Sequence, residues 1–131
     1  MIGLDTNVIV HYVMQDDARQ AAKAAKVMEN LTGEDPGFIT LVSVIEIVWV
    51  LTSCYDLNRE QIARLLDQLL STETLLIDRA ETVWRALRVY QSSNADFADC
   101  LIERIAVSKA CSHTVTFDVR ASKSAGMVLI E

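Results

Sequence analysis

The sequence predicts an α/β fold, with helices covering both faces of a parallel sheet. Short apolar runs such as MIGL, TLLI and MVLI alternate with longer stretches whose apolar residues recur at helical spacing. Two of the strand-like runs, MIGL and HTVTF, stop directly at an aspartate, Asp5 and Asp118. An acid at the carboxyl end of a strand lies where open α/β sheets place their ligand sites.

The elements follow in order. Met1 to Leu4 reads as a buried strand, and Thr6 and Asn7 suit the start of a short helix running to Val13. Asp16 or Asp17 caps a second helix to about Leu31, with Ala21, Ala25 and Met28 on one face and Arg19, Lys23 and Lys26 on another. GEDPG, Gly33 to Gly37, is a turn. Phe38 to Leu41 is a second strand, after which Ser43 opens a helix whose one charged residue is Glu46. Asn58 with Gln61 has the spacing of a capping box, ahead of a helix with Ile62, Leu65, Leu66 and Leu69 on one side. Thr74 to Ile77 is a third strand. Asp78 with Glu81 suggests another capping box, for a helix burying Ala80, Val83, Trp84 and Leu87 and ending at QSSN, Gln91 to Asn94. A helix from about Asp96 to Ala110 turns Leu101, Ile102, Ile105 and Ala106 inward. His113 to Phe117 is a fourth strand, Val119 to Ser124 a short helix or turn, and Met127 to Ile130 a fifth strand.

The totals narrow the class. A chain of 131 residues, 51% hydrophobic and 23% charged, reads as one compact soluble domain over 1–131. Its longest apolar run, Phe38 to Leu51, is interrupted by Thr40, Ser43 and Glu46 and falls short of the ~20 residues that span a bilayer. No basic segment precedes an apolar one at the N-terminus, as a secretory signal requires. Cys54, Cys100 and Cys111 form no CxxC pair and are odd in number, which points to a reducing cytoplasm. A net charge of −6 argues against a protein that coats nucleic acid. It is compatible with an enzyme that handles phosphate through cations held by clustered carboxylates.

Five acids can meet at one edge of the sheet. Asp5 and Asp118 end strands, Glu46 lies in the helix after the second strand, and Asp96 and Asp99 stand three apart at a helix start, on one side of it. Each also has a structural explanation. Asp5 can cap the following helix, and Glu46 lies three residues after Ser43, the spacing of a capping box. Against that, Glu46 sits amid Ile45, Ile47 and Val48, where an unpaired carboxylate is costly. Asp96 can serve the helix dipole, and Asp118 can open a turn with Val119 and Arg120. Asp99 is the hardest to explain away, since a cap at Asp96 does not need it.

Clustered carboxylates repel one another unless cations neutralise them. Mg²⁺ or Mn²⁺ suits such oxygen donors, and two ions roughly 4 Å apart can activate water and stabilise the leaving oxygen in phosphodiester cleavage. His11, in an apolar helix, and His113, at a strand start, read as structural. No serine has the GxSxG elbow, and no glycine-rich phosphate loop is present.

LDTNVIV (Leu4 to Val10), Glu46 in its apolar helix, DFADCLI (Asp96 to Ile102) and VTFD (Val115 to Asp118) resemble PIN-domain nucleases. The DFAD segment and the length are most similar to the VapC-type toxins of bacterial toxin–antitoxin pairs. The resemblance covers essentially the whole chain, with four motifs in order. It implies a three-layer α/β/α sandwich around a Rossmann-like sheet of about five parallel strands, and Mg²⁺- or Mn²⁺-dependent endoribonuclease activity. It makes Asp5, Glu46, Asp99 and Asp118 the metal-binding acids and Asp96 an auxiliary one. Thr6, Asn7 and Thr116 become polar positions beside them. It further implies a homodimer and a cognate antitoxin whose tail covers the acidic groove.

The expectation is therefore an endoribonuclease whose acids hold the ions while activated water attacks RNA. The same five acids also serve a PIN-like binding module in which they hold a cation or a partner's arginine without turnover. A Mg²⁺-dependent phosphatase or receiver-type fold shares acids at strand ends, but no DxDxT follows Asp5 and no lysine follows the fifth strand. Substrate choice is expected to rest with loops, the basic face of the second helix, Arg120 and Lys123.

Overall fold

The computed structural model describes residues 1–131, with seven helices and five short strands. Its internal contacts divide the chain into two compact units, Met1–Asp78 and Arg79–Glu131, each described by itself.

The first unit is built on a parallel sheet of β1 (Ile2–Gly3), β2 (Gly37–Ile39) and β3 (Leu75–Ile77), in that order. The register sets Ile2 against Gly37, and Gly37 against Leu75. Gly37 is required by close packing, because a Cβ there would fall 2.5 Å from Leu4 Cδ1 and 3.0 Å from Leu31 Cδ1. Helices α1 (Thr6–Met14) and α2 (Ala18–Glu29) connect β1 to β2, and α3 (Leu41–Ser53) and α4 (Arg59–Ser71) connect β2 to β3. Ile9, Ile39, Ile47, Leu51, Ile62 and Leu66 are fully buried and form its core.

Capping sets where these helices begin. Asp17 accepts from the Arg19 and Gln20 amides at α2. The Asn58–Gln61 box forms as expected, each side chain accepting from the other's backbone amide. Thr40, and not Ser43, caps α3: Thr40 Oγ1 accepts from the Ser43 amide at 3.1 Å. The second strand is accordingly shorter than expected, and Leu41 is helical. On α2 the buried residues are Ala21 and Ala24, while Ala25 and Met28 are only partly covered.

The second unit packs α5 (Ala80–Gln91) on α6 (Phe97–Ser108), with Tyr90 edge-on to Phe97 at 5.7 Å between ring centroids. Val83, Leu87, Phe97 and Leu101 are buried there. β4 (Val115–Thr116) pairs in parallel with β5 (Val128–Leu129), joined by α7 (Val119–Ser124) and a turn at Gly126, whose φ of 77° suits glycine.

Three expectations are corrected here. The five parallel strands form hydrogen-bonded sheets of three and two, not one of five, each strand contributing only two or three residues. Asp78 does not cap α5, because its amide still bonds Ile39 O at 2.9 Å as the end of the β2–β3 pairing. Arg79 then turns the chain through a left-handed conformation, φ 51°, and α5 starts without a side-chain cap. On α6, Ile102 faces outward (50% exposed) and the buried neighbour is Glu103, which accepts from Arg104 Nε at 2.5 Å. The same helix stops at Ser108, where Ala110 takes φ 64° while the Cys111 amide reaches back to Ala106 O and the Ala110 amide to Val107 O.

Candidate functional site

In the first unit, parallel β1 and β2 both lead into helices, and this brings Asp5 and Glu46 to a shared residue. Asp5 has extended geometry as the residue before α1, and its Oδ1 accepts from the Thr6 amide at 2.9 Å. Thr6 is 6% exposed, and its hydroxyl donates to Glu46 Oε1 at 2.8 Å, across forty residues of sequence. Glu46 is thus not a capping-box partner of Ser43. Nor is it buried among its apolar neighbours: it is exposed on α3, and the argument from the cost of an unpaired buried carboxylate does not apply.

The second unit holds the other three acids. Asp96 precedes α6 and is exposed, but its carboxylate makes no capping hydrogen bond. At the N-cap position of α6 its charge can still favour the helix dipole. Asp99, in the first turn of α6, is half-buried. Its carboxyl is held above the ordinary 3.8 by burial, and further by the negative charges of Asp96 and Asp118. Asp118 does cap a helix: its Oδ1 accepts from the Arg120 and Ala121 amides at 2.8 and 3.2 Å. Its own amide donates to Thr116 Oγ1 at 3.0 Å. Both caps fall on one oxygen, leaving Oδ2 available. Thr116, expected as a polar position beside the acids, holds the backbone at Asp118.

Neither unit brings three carboxylate, imidazole or thiol groups together at ligating separation. The chemistry of the second-unit donors nevertheless fits a hard divalent cation. All three are oxygen donors, and burial, then the charges of Asp96 and Asp118, raise the pKa of Asp99, a condition that a bound cation reverses. Thr6 acts through Glu46, a pairing that only the folded chain reveals, since nothing in the sequence links positions forty residues apart. His11 fits its structural reading less well than expected. Its Nδ1 is buried without a hydrogen-bond partner and lies 3.6 Å from Asp16 Oδ1. Asp16 in turn accepts from Tyr55 Oη at 2.7 Å, which lowers its pKa and raises that of the tyrosine. No helix of the protein is long and apolar enough to cross a membrane.

Compared with protein families, residues 2–126 match the model of the PIN domain, which spans both units. A comparison with curated proteins finds no match. PIN domains are three-layer α/β/α folds, typically metal-dependent nucleases acting on RNA or other nucleic acid.

Proposed function

Because the chain belongs to the PIN-domain family, we propose that it is a single-domain, Mg²⁺- or Mn²⁺-dependent endoribonuclease. The observation that carries this is the PIN-domain match over residues 2–126, with Asp96 and Asp99 at the start of α6 and Asp118 at the start of α7. Burial, and then the charges of Asp96 and Asp118, disfavour the ionised form of Asp99, and a bound cation would relieve this. Asp99, Asp96 and Asp118 hold the cation, with Asp96 auxiliary, and the family resemblance extends metal binding to Asp5 and Glu46. A divalent cation, when bound, supplies the Lewis acidity that activates water and stabilises the leaving oxygen of a phosphodiester. The protein's own part is positional. The Thr6 hydroxyl fixes Glu46, the two amides of α7 fix Asp118 through Oδ1, and the backbone of α6 fixes the spacing of Asp96 and Asp99.

The reading extends to a VapC-type toxin, dimeric, cytoplasmic and neutralised by a cognate antitoxin. An apolar stripe on α3 supports a protein partner: Val42 is 69% exposed and Trp49 63%, with Ile45 between them. The test is cleavage of a mixed RNA pool by the purified protein with Mg²⁺, with Mn²⁺ and with EDTA, beside Asp99→Asn. Metal-dependent cutting that the variant lacks supports the nuclease. A folded, inhibitor-free protein that cuts in neither metal instead favours a binding module whose acids hold a cation or a partner's arginine.

A further inference from the structure

A cavity of about 260 Å³ opens between α1 and α2, and the acids do not account for it. Its polar lining is Asn7, His11, Gln20 and Lys23, and Val8 and Val27 are among its apolar walls. The side chains of Asn7, Gln20 and Lys23 are exposed and have no hydrogen-bond or ion-pair partner in the protein, whereas His11 Nδ1 faces Asp16 Oδ1 at 3.6 Å. Polar side chains without a protein partner at the mouth of a recess are open to a ligand's hydrogen bonds. We propose that this cavity receives one unpaired nucleobase of the RNA substrate and sets which base stands beside the cleaved bond.

The chemistry of the lining selects this ligand. The carboxamides of Asn7 and Gln20 each present a donor and an acceptor, the pairing needed to read a base edge. The valines offer apolar surface to the base faces. Lys23 adds a cation for the adjoining phosphate, and Lys26 and Arg19 continue the positive charge along α2 in a chain of net charge −6. The volume lies just under the range for drug-sized ligands, so one base fits and a folded helix does not. Position agrees with the role: α1, which carries Asn7 and His11, starts at Thr6, directly after Asp5.

The inference rests on the nuclease reading for its biological role, but its test is binding without metal. AMP, GMP, CMP and UMP are titrated separately, in EDTA, while NMR follows the side-chain amides of Asn7 and Gln20. One nucleotide is expected to shift these signals at concentrations where the others do not. Gln20→Ala is expected to weaken that binding roughly tenfold, the scale of losing one edge contact. In the cleavage assay Gln20→Ala then relaxes the base preference at the cut site, read from the distribution of cut sites among the products. Equal shifts from all four nucleotides, equal shifts from inorganic phosphate alone, or binding of an acidic peptide in their place overturns the proposal. Selective nucleotide binding by a protein that cuts no RNA would sink the nuclease reading and keep the pocket. Cutting with an unchanged site map in Gln20→Ala would do the reverse.

Discussion

The acids of the two units have different neighbours. In the first, Asp5 and Glu46 each receive a hydrogen bond from Thr6, one from its amide and one from its hydroxyl. In the second, Asp99 is half-buried and has Asp96 and Asp118 for company, and its carboxyl resists ionisation. The difference teaches which acids are at rest in the metal-free chain. Hydrogen bonds satisfy the first pair, whereas only a cation or a proton relieves the second group.

The largest consequence is for activity. Asp99→Asn keeps the shape of the side chain and removes the charge at the centre of the strained group. It is expected to lower RNA cleavage at least ~10²-fold, the scale of losing one electrostatic group at a reacting centre. The check is cleavage per folded protein, with circular dichroism showing an unchanged fold. Equal loss from Thr6→Val would break the comparison, since the hydroxyl it deletes reaches only Glu46.

Stability should move the other way. A carboxyl whose folded pKa lies above its unfolded value makes the folded chain bind protons more tightly. Its contribution favours folding at low pH and is lost as pH rises through the folded pKa, so ionised Asp99 is a cost at pH 7. In EDTA, Asp99→Asn is therefore expected to unfold at a higher temperature than the parent at pH 7, with the gain vanishing below the ordinary carboxylate value of 3.8. Divalent cation reverses the order. At a hundredfold excess over its dissociation constant it stabilises the parent by about 2.7 kcal/mol, and the variant by much less. Thermal unfolding with EDTA and with Mg²⁺ measures both effects.

How far the sequence foretold this differs between the two units. The places of β1 and β4 were readable from local apolar pattern, although each strand ends two residues before its acid, at Gly3 and Thr116. The Asn58–Gln61 box was readable for the same reason. Asp78 and Glu81 have the same spacing and form no box, because Asp78 is held in the strand pairing by Ile39 O, a partner thirty-nine residues away. Thr40 outcompeted Ser43 as a cap because β2 ends at Ile39, which depends on how the sheet is registered. Helical periodicity placed Leu101 correctly but turned Ile102 inward, since the pattern does not register that Glu103 can be buried with Arg104 as its partner. The five acids were legible as candidates. Their unequal burial, the bond from Thr6 to Glu46 and the repulsion at Asp99 belong to tertiary structure and leave no local mark.

A smaller effect tests the resting pair. Thr6→Val preserves the packing of a buried side chain and deletes its hydroxyl. The loss is expected to be about 0.5–1.5 kcal/mol, the net worth of one hydrogen bond, and it is smaller if water replaces the hydroxyl at exposed Glu46. Denaturant unfolding at constant m-value reads it. A loss above this range would show that Thr6 carries more of the β1–α1 corner than its bonds to Asp5 and Glu46 account for.

The smallest stability effect comes from Asp118→Asn, and it separates two roles in one side chain. Asparagine caps a helix about as well as aspartate, so α7 should keep its bonds to the Arg120 and Ala121 amides, with stability changed by only a few tenths of a kcal/mol. The negative charge facing Asp99 is nevertheless gone. The Asp99 pKa should fall toward its ordinary value, though not the whole way, because burial is the larger cause and Asp96 remains. Following the Asp99 carboxyl carbon by NMR through a pH titration of parent and variant measures the shift. An unchanged Asp99 titration would mean that Asp118 contributes nothing and that burial with the charge of Asp96 holds its proton. The crowding of charge in the second unit would then reduce to Asp96 and Asp99, and Asp118 would join a cation site only through the family resemblance.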